Sequence, residues 1–253
     1  MARGPVDLTP EEIVQVRAMV IYEDDQIIAL NKPSGLSSQG GRIKAHTLDD
    51  LLAAFAKSSG NRPRLVHRLD RDTSGVILTA RTKPVAAYLG KALMDRRVKK
   101  TYLAVVTPGA PDPREGTIET ALRRVEQGRE AHMRISPPDH PDAEVAFTRY
   151  RTLHVSDGAA LIELSPRTGR MHQLRVHLAS IGRPIAGDAR YGGALMLAGA
   201  PCERLLLHAY CLQFTHPNGA QMRLSAPLPP PFSAHLQRLG LPVPMSSDAP
   251  TRG

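Results

Sequence analysis

Short runs of apolar and β-branched residues, cut apart by turn-forming residues, most restrict what this chain can fold into. Residues 26–30 form one such run, stopped by Asn31-Lys32-Pro33-Ser34-Gly35. Residues 101–106 read as a buried strand ending at the turn-rich stretch 108–113. Further strands are expected at 145–153 and 160–164, then within 205–214 and 221–224, the last two joined through the hairpin turn Pro217-Asn218-Gly219. Helices are fewer. Thr9-Pro10-Glu11-Glu12 is a capping pattern leading into Ile13, Val16 and Val20, and Thr47 with Asp50 opens a helix to about residue 56. Another follows Thr82, with Pro84 in its first turn and Val85, Leu89 and Ala92 along one face. A fourth covers 171–181, with Met171, Leu174, Leu178 and Ile181 at core spacing. Strands that outnumber helices and lie within hairpin reach predict an α+β fold, a mainly antiparallel mixed sheet with flanking helices.

The polar, Pro-rich stretch 128–142 reads as an exposed loop or a loose hairpin, and the tail after 241 as disordered. The expected organisation is an extension over 1–20, one catalytic domain over 21–240 and the tail 241–253, with no linker through the middle. A chain of 253 residues can bury a viable core as one large domain or two small ones. Its net charge is +9, from 33 Lys and Arg against 24 Asp and Glu. The excess is mostly arginine, whose planar fork grips phosphate. This balance fits nucleic-acid binding and fits ordinary solubility charge equally well. Two thiols, Cys202 and Cys211, give neither metal spacing nor a disulfide framework. No apolar run approaches membrane-spanning length, so the expectation is a soluble cytoplasmic protein, with no membrane partner.

Chemistry concentrates in two places. In His67-Arg68-Leu69-Asp70-Arg71-Asp72-Thr73-Ser74-Gly75, a carboxylate sits on a turn between two apolar runs, with Arg68 and Arg71 close enough to keep it ionised. The same composition is that of a tight turn whose side chains bond their own backbone. The second place is residues 167–178, where Thr168-Gly169 breaks the chain ahead of a helix. Backbone N–H groups and Arg170 at that helix start would suit a phosphate, and His172 and Arg175 would share one face. A solvated helix face is the plainer reading. His172 and His177 lack a carboxylate or Cys at ligand spacing, so no metal is expected.

These segments resemble the RluA-type pseudouridine synthases. The likeness runs from about residue 27 to 224 and is carried by six motifs in family order. They are Leu30-Asn31-Lys32-Pro33-Ser34-Gly35, the nine residues from His67, Lys99-Lys100-Thr101-Tyr102-Leu103-Ala104, the run from Arg167 to His177, Pro184-Ile185-Ala186-Gly187-Asp188, and Leu207-His208-Ala209. The resemblance implies that Asp70 is the catalytic aspartate and Tyr102 the active-site tyrosine that packs on the target base. It implies that Arg175 is the arginine pairing with that carboxylate and that Arg68 attends the flipped-out nucleotide. Arg71, Arg170 and His172 are expected to bind substrate beside it. Read alone, Tyr102 would be an ordinary strand residue.

The implied reaction detaches a uracil from its ribose, turns it and rejoins it through carbon, within ribosomal or transfer RNA. It needs base flipping, a dry pocket, and no cofactor. Two basic clusters, Arg42, Lys44, Arg62 and Arg64, then Arg96, Arg97, Lys99 and Lys100, are expected to hold RNA phosphates, making binding steeply salt-dependent. A monomer is expected. Many relatives carry a small RNA-binding domain ahead of the catalytic one; about twenty residues precede the first matching strand, so none is expected here. Met171 stands where relatives often have Thr. Two other readings compete: an RNA-binding or ribosome-assembly factor without catalysis, and a glycoside or nucleoside hydrolase using Asp72 as a second carboxylate.

Overall fold

The computed structural model of the protein describes residues 6–40, 45–56, 60–127 and 130–244. In chain order its elements are α1 (Pro10–Ala18), β1 (Val20–Glu23), β2 (Ile27–Lys32), α2 (Leu48–Leu51), β3 (Arg64–Leu65), β4 (Ser74–Ala80) and α3 (Lys83–Met94). Next come β5 (Lys99–Val106), β6 (Glu115–Gln127), β7 (Glu130–Ser136), β8 (Glu144–Ser156), β9 (Ala159–Pro166) and α4 (Gln173–Ser180). Then follow β10 (Met196–Leu197), β11 (Ala200–Pro201), β12 (Leu207–Thr215), β13 (Gln221–Ser225) and α5 (Pro230–Arg238). The class is the α+β one that the sequence predicts. The described chain forms two compact units, one of residues up to 99 with 211–227, the other of 100–210 with the residues from 228 on.

In the first unit β2 pairs antiparallel with β1 and with β4, in register from Ile27↔Ala80 to Lys32↔Gly75. Every residue of β4 is buried. That is why Val76-Ile77-Leu78 reads as a continuous apolar run and does not alternate. α3 packs on β4, while α1 packs on α2 and on the 3-10 turn Leu52–Phe55 that continues it. Both Thr9 and Thr47 make full capping boxes, with Glu12 and Asp50. The helix expected to run to residue 56 has only one α turn before tightening. α3 ends in a Schellman turn, with Arg97 N–H on Ala92 C=O at 2.8 Å and Arg96 at φ 56°. Left-handed backbone crowds the Cβ of any L-residue against the following carbonyl, so Arg96→Gly should raise stability by roughly 0.5–1 kcal/mol, read as an increase in the urea midpoint. A lowered midpoint would contradict this.

The second unit is an antiparallel array in the order β5-β9-β8-β6-β7. Along β8 Ala146, Thr148 and Tyr150 are buried while Arg149 and Arg151 are exposed, the alternation of a sheet covered on one face. α4 packs against β6, β7 and β8. Its His177 is fully buried, with Nδ1 2.9 Å from Thr148 Oγ1 and Nε2 3.2 Å from Thr120 Oγ1, so it joins the helix to two strands. Burial lowers its pKa from 6.5 to about 4. Between those values the unfolded chain binds a proton that the folded chain refuses, so stability falls as pH drops from about 6.5 to about 4. The loss from this group is on the order of 3 kcal/mol. Denaturation midpoints across that range should drop more steeply for the wild type than for His177→Asn; equal slopes would refute the assignment.

The structure departs from the sequence reading at further points, among them Val20, expected on the first helix and found at the start of β1. β6, the longest strand together with β8, stands where no element is expected; Ile118, Ala121, Leu122 and Val125 along it recur at helix-like spacing and do not alternate. Where the Pro-rich stretch reads as an exposed loop or a loose hairpin, β7 is the second arm of a regular hairpin, paired with β6 from Ala121↔Ser136. α5, burying Phe232, His235 and Leu236, is likewise unanticipated. α4 begins two residues later than expected: His172 is its N-cap at φ 51°, which takes it off the helical face shared with Arg175, and Met171 is 38% exposed. The tail from 245 on lies outside the described residues, as do Arg42 and Lys44.

Candidate active site

Asp70 lies on the loop between β3 and β4, half-buried, its C=O accepting the Thr73 N–H at 3.2 Å. That loop is strapped to the turn after β2. Ser38 Oγ donates to Leu69 C=O at 2.7 Å and accepts the Leu69 N–H at 3.1 Å. Ser34 Oγ donates to Asp72 C=O at 2.8 Å, and Gly35 N–H to Arg71 C=O at 2.9 Å. Beneath them Lys32 is fully buried and its Nζ donates to the carbonyls of Pro33, Leu36 and Arg71 at 2.7–2.9 Å. A buried ammonium is tolerated only when its donors are met, and here backbone oxygens from both segments meet them. The turn is therefore fixed on both sides of Asp70 through main-chain atoms. Arg71 Nε donates to Gly35 C=O at 3.0 Å, which makes it a loop staple, while Arg68 is exposed.

The second unit holds the other predicted residues. Tyr102 sits on β5 opposite Leu164, half-buried against the main apolar cluster. Arg175, buried in the first turns of α4, gives Nε–H and Nη2–H to Asp188 at 2.8 Å each, a bidentate pair with a carboxylate that is 1% exposed. Its guanidinium also lies over the Tyr191 ring, 5.0 Å from the centroid. Asp188 is presented by a tight loop. Gly187 has φ +79° and a Cβ there would meet Arg204 O at 2.0 Å; a Cβ at Gly193 would meet Ile185 O at 1.8 Å. The sequence reading quotes Asp188 in a motif yet gives it no role; Gly187 ahead of it was the available signal.

The segment ahead of α4 is ordered by Gln173. Its Oε1 accepts from Thr168 Oγ1 at 2.7 Å and Arg170 N at 3.1 Å, and its Nε2 donates to Phe147 O at 3.0 Å and Thr148 Oγ1 at 2.9 Å. Arg170 pairs with Glu144 at 2.6 Å on the surface, so the cation expected at a phosphate has a carboxylate partner. His172 places Nδ1 2.8 Å from Tyr191 Oη, and burial, with Arg175 and Arg190 nearby, lowers its pKa to about 3. It is therefore neutral at physiological pH. Among the basic residues expected at RNA, Arg64, Arg96, Arg97 and Lys99 are exposed, and Arg97 pairs with Asp95 at 3.2 Å. Burial lowers the pKa of Lys100. Among the described residues no group of three His, Cys, Asp or Glu is placed to hold a metal, and no helix is long and apolar enough to cross a membrane.

One unit thus holds an aspartate on a turn strapped through its main chain, and the other a buried arginine clamped by a carboxylate. The family model of RNA pseudouridylate synthase matches residues 26–180, and the chain belongs to that family. It is 36% identical over 235 residues to Ribosomal large subunit pseudouridine synthase C of Escherichia coli (strain K12), covering 90% of this chain and 72% of the relative. It is 35% identical to Pseudouridylate synthase RPUSD4, mitochondrial, of Xenopus tropicalis, over 91% of this chain and 83% of that one. Among solved structures, Human RNA Pseudouridylate Synthase Domain Containing 4 superposes with a TM-score of 0.78 at 28% identity, covering 93% of this chain and 99% of that chain. Human RNA Pseudouridylate Synthase Domain Containing 1 gives 0.69 at 28%, over 92% and 90%. The protein is thus a pseudouridine synthase, an isomerase.

Proposed function

We propose that the protein converts defined uridines of large-subunit ribosomal RNA to pseudouridine, as a cytoplasmic monomer whose catalytic part spans residues 21–240. The likeness to the ribosomal large subunit enzyme of E. coli, over most of both chains, supports that target over transfer RNA. The reaction breaks the N1–C1′ bond, forms a C5–C1′ bond, and moves a proton from C5 to solvent while N1 takes one up. Atoms balance without water, oxidant or cofactor. Asp70 is the reacting carboxylate, able to attack C1′, add to the uracil ring or take a proton from C2′. Tyr102 packs on the base and assists proton transfer. Arg175 is the cation for that carboxylate, while Arg68, Arg71, Arg170 and His172 attend the flipped nucleotide and its phosphates.

The observation that carries this reading is the fixed main chain on both sides of Asp70, since a carboxylate that must meet an extruded base within a fraction of an ångström needs a rigid turn. Incubating the protein with unmodified large-subunit ribosomal RNA transcript tests it. The expected result is pseudouridine at one or a few positions, no free uracil, and binding that weakens steeply with salt. Release of uracil would make it a hydrolase, and modification of transfer RNA alone would overturn the target. Binding without any modification would make it an assembly factor.

A further inference from the structure

Tyr191 is assigned no part by the motifs, yet it touches both Arg175 and His172. Its ring lies under the Arg175 guanidinium at 5.0 Å and meets His172 edge-on at 5.6 Å and 80°. It packs against the cluster of Leu122, Met133, Ala146 and Val176, where α4 meets the β6–β7 hairpin. Its hydroxyl accepts the Met133 N–H at 3.1 Å and lies 2.8 Å from His172 Nδ1. β7 ends the strand order of its unit, so the outward groups of this edge need partners. Tyr191 meets the Met133 N–H, and Arg190 Nη1 meets Ala131 C=O at 3.0 Å.

The phenol oxygen accepts the Met133 N–H and carries one hydrogen of its own, which His172 Nδ1 can accept at 2.8 Å. In that arrangement the imidazole is neutral and its proton is on Nε2. The low pKa of His172 and the raised pKa of the Tyr191 phenol, both caused first by burial, agree with this. Other charges close to the pair are Arg175, Arg190 and Asp188, with His132 facing the Tyr191 ring at 6.5 Å.

We propose that Tyr191 is a positioning residue for Arg175 and His172: its ring supports the guanidinium that Asp188 grips, and its hydroxyl anchors the β7 edge and holds His172 as a neutral Nε2–H donor. The aromatic face matters because the Asp188 bonds grip one edge of the guanidinium, whereas the Tyr191 ring bears on its flat side. A desolvated contact of this kind is worth about tenfold in an equilibrium or rate. The hydroxyl links the same residue to the hairpin, so a load on β7 reaches both Arg175 and His172. This rests on the reading that Arg175 serves pseudouridine formation.

The test compares Tyr191→Phe with Tyr191→Leu, both lacking the hydroxyl, in single-turnover pseudouridine formation at saturating RNA. Leu should be about tenfold slower than Phe, with RNA dissociation constants within about threefold of each other. Tyr191→Met serves as the second non-aromatic variant if Leu prevents folding. Equal rates for Phe and the non-aromatic variant would overturn the ring's role. The hydroxyl is read without activity. Tyr191→Phe should speed exchange of the Met133 amide about tenfold or more and change the His172 ring 15N spectrum, which in the wild type shows the Nε2–H tautomer. No change in either would overturn the hydroxyl's role. If the wild type forms no pseudouridine, the proposed reaction fails, while these two readouts still judge the geometry.

Discussion

Asp70→Asn should slow pseudouridine formation on the order of ten-thousandfold while leaving the fold and RNA binding almost intact. The size follows from removing the group that reacts, a loss other enzymes feel on this scale. The selectivity follows from how the loop is built. Its straps run through the main chain of Leu69, Arg71 and Asp72 to Ser38, Lys32, Gly35 and Ser34, and the Asp70 C=O to the Thr73 N–H. None of these bonds needs the Asp70 carboxylate, and Asn has the same shape. The stability change should stay within about 1 kcal/mol. Single-turnover rates beside urea midpoints check both halves. A variant with near wild-type rate would remove Asp70 from the chemistry.

Asp188→Ala should have the largest effect on stability, about 3–5 kcal/mol, because it strips a buried guanidinium of its bidentate carboxylate. Asp188 does more than pair: its Oδ1 also accepts the N–H groups of Arg190 and Tyr191, at 3.2 and 3.3 Å. The substitution therefore loosens the loop that supplies Tyr191 as well as the Arg175 anchor. Asp188→Asn, which keeps the acceptor oxygen, should lose less. Urea midpoints for the two variants measure this. A cost below about 1 kcal/mol for Asp188→Ala would mean that the pair contributes little net energy and serves only to aim the arginine.

Much of the fold was legible where the cause is local. Thr9, Thr47 and Thr82 mark helix starts because a cap acts within three residues. Pro217-Asn218-Gly219 marks the β12–β13 turn for the same reason, and β4 shows its burial in its composition. β6 was not legible. It is a strand because β7 and β8 flank it, and nothing in its own spacing says so. The site divides likewise. Asp70 stands out in a nine-residue run, whereas Lys32 looks like a surface turn residue and becomes a buried strut only when the loop around residue 70 supplies Arg71 C=O. The Arg175–Asp188 pair bridges thirteen positions through an Ile181 helix end and a Gly187 turn. No periodicity predicts such a meeting. His172 was misplaced onto the helix because a left-handed N-cap leaves no mark in hydrophobic spacing.

The most direct measurement is a map of pseudouridine in total RNA from cells with and without this protein, and from deficient cells supplied with the wild-type chain or with Asp70→Asn. The account predicts that one or a few sites in large-subunit ribosomal RNA disappear in the deficient cells, return with the wild type and stay absent with the variant. An unchanged map, or restoration by Asp70→Asn, would contradict it.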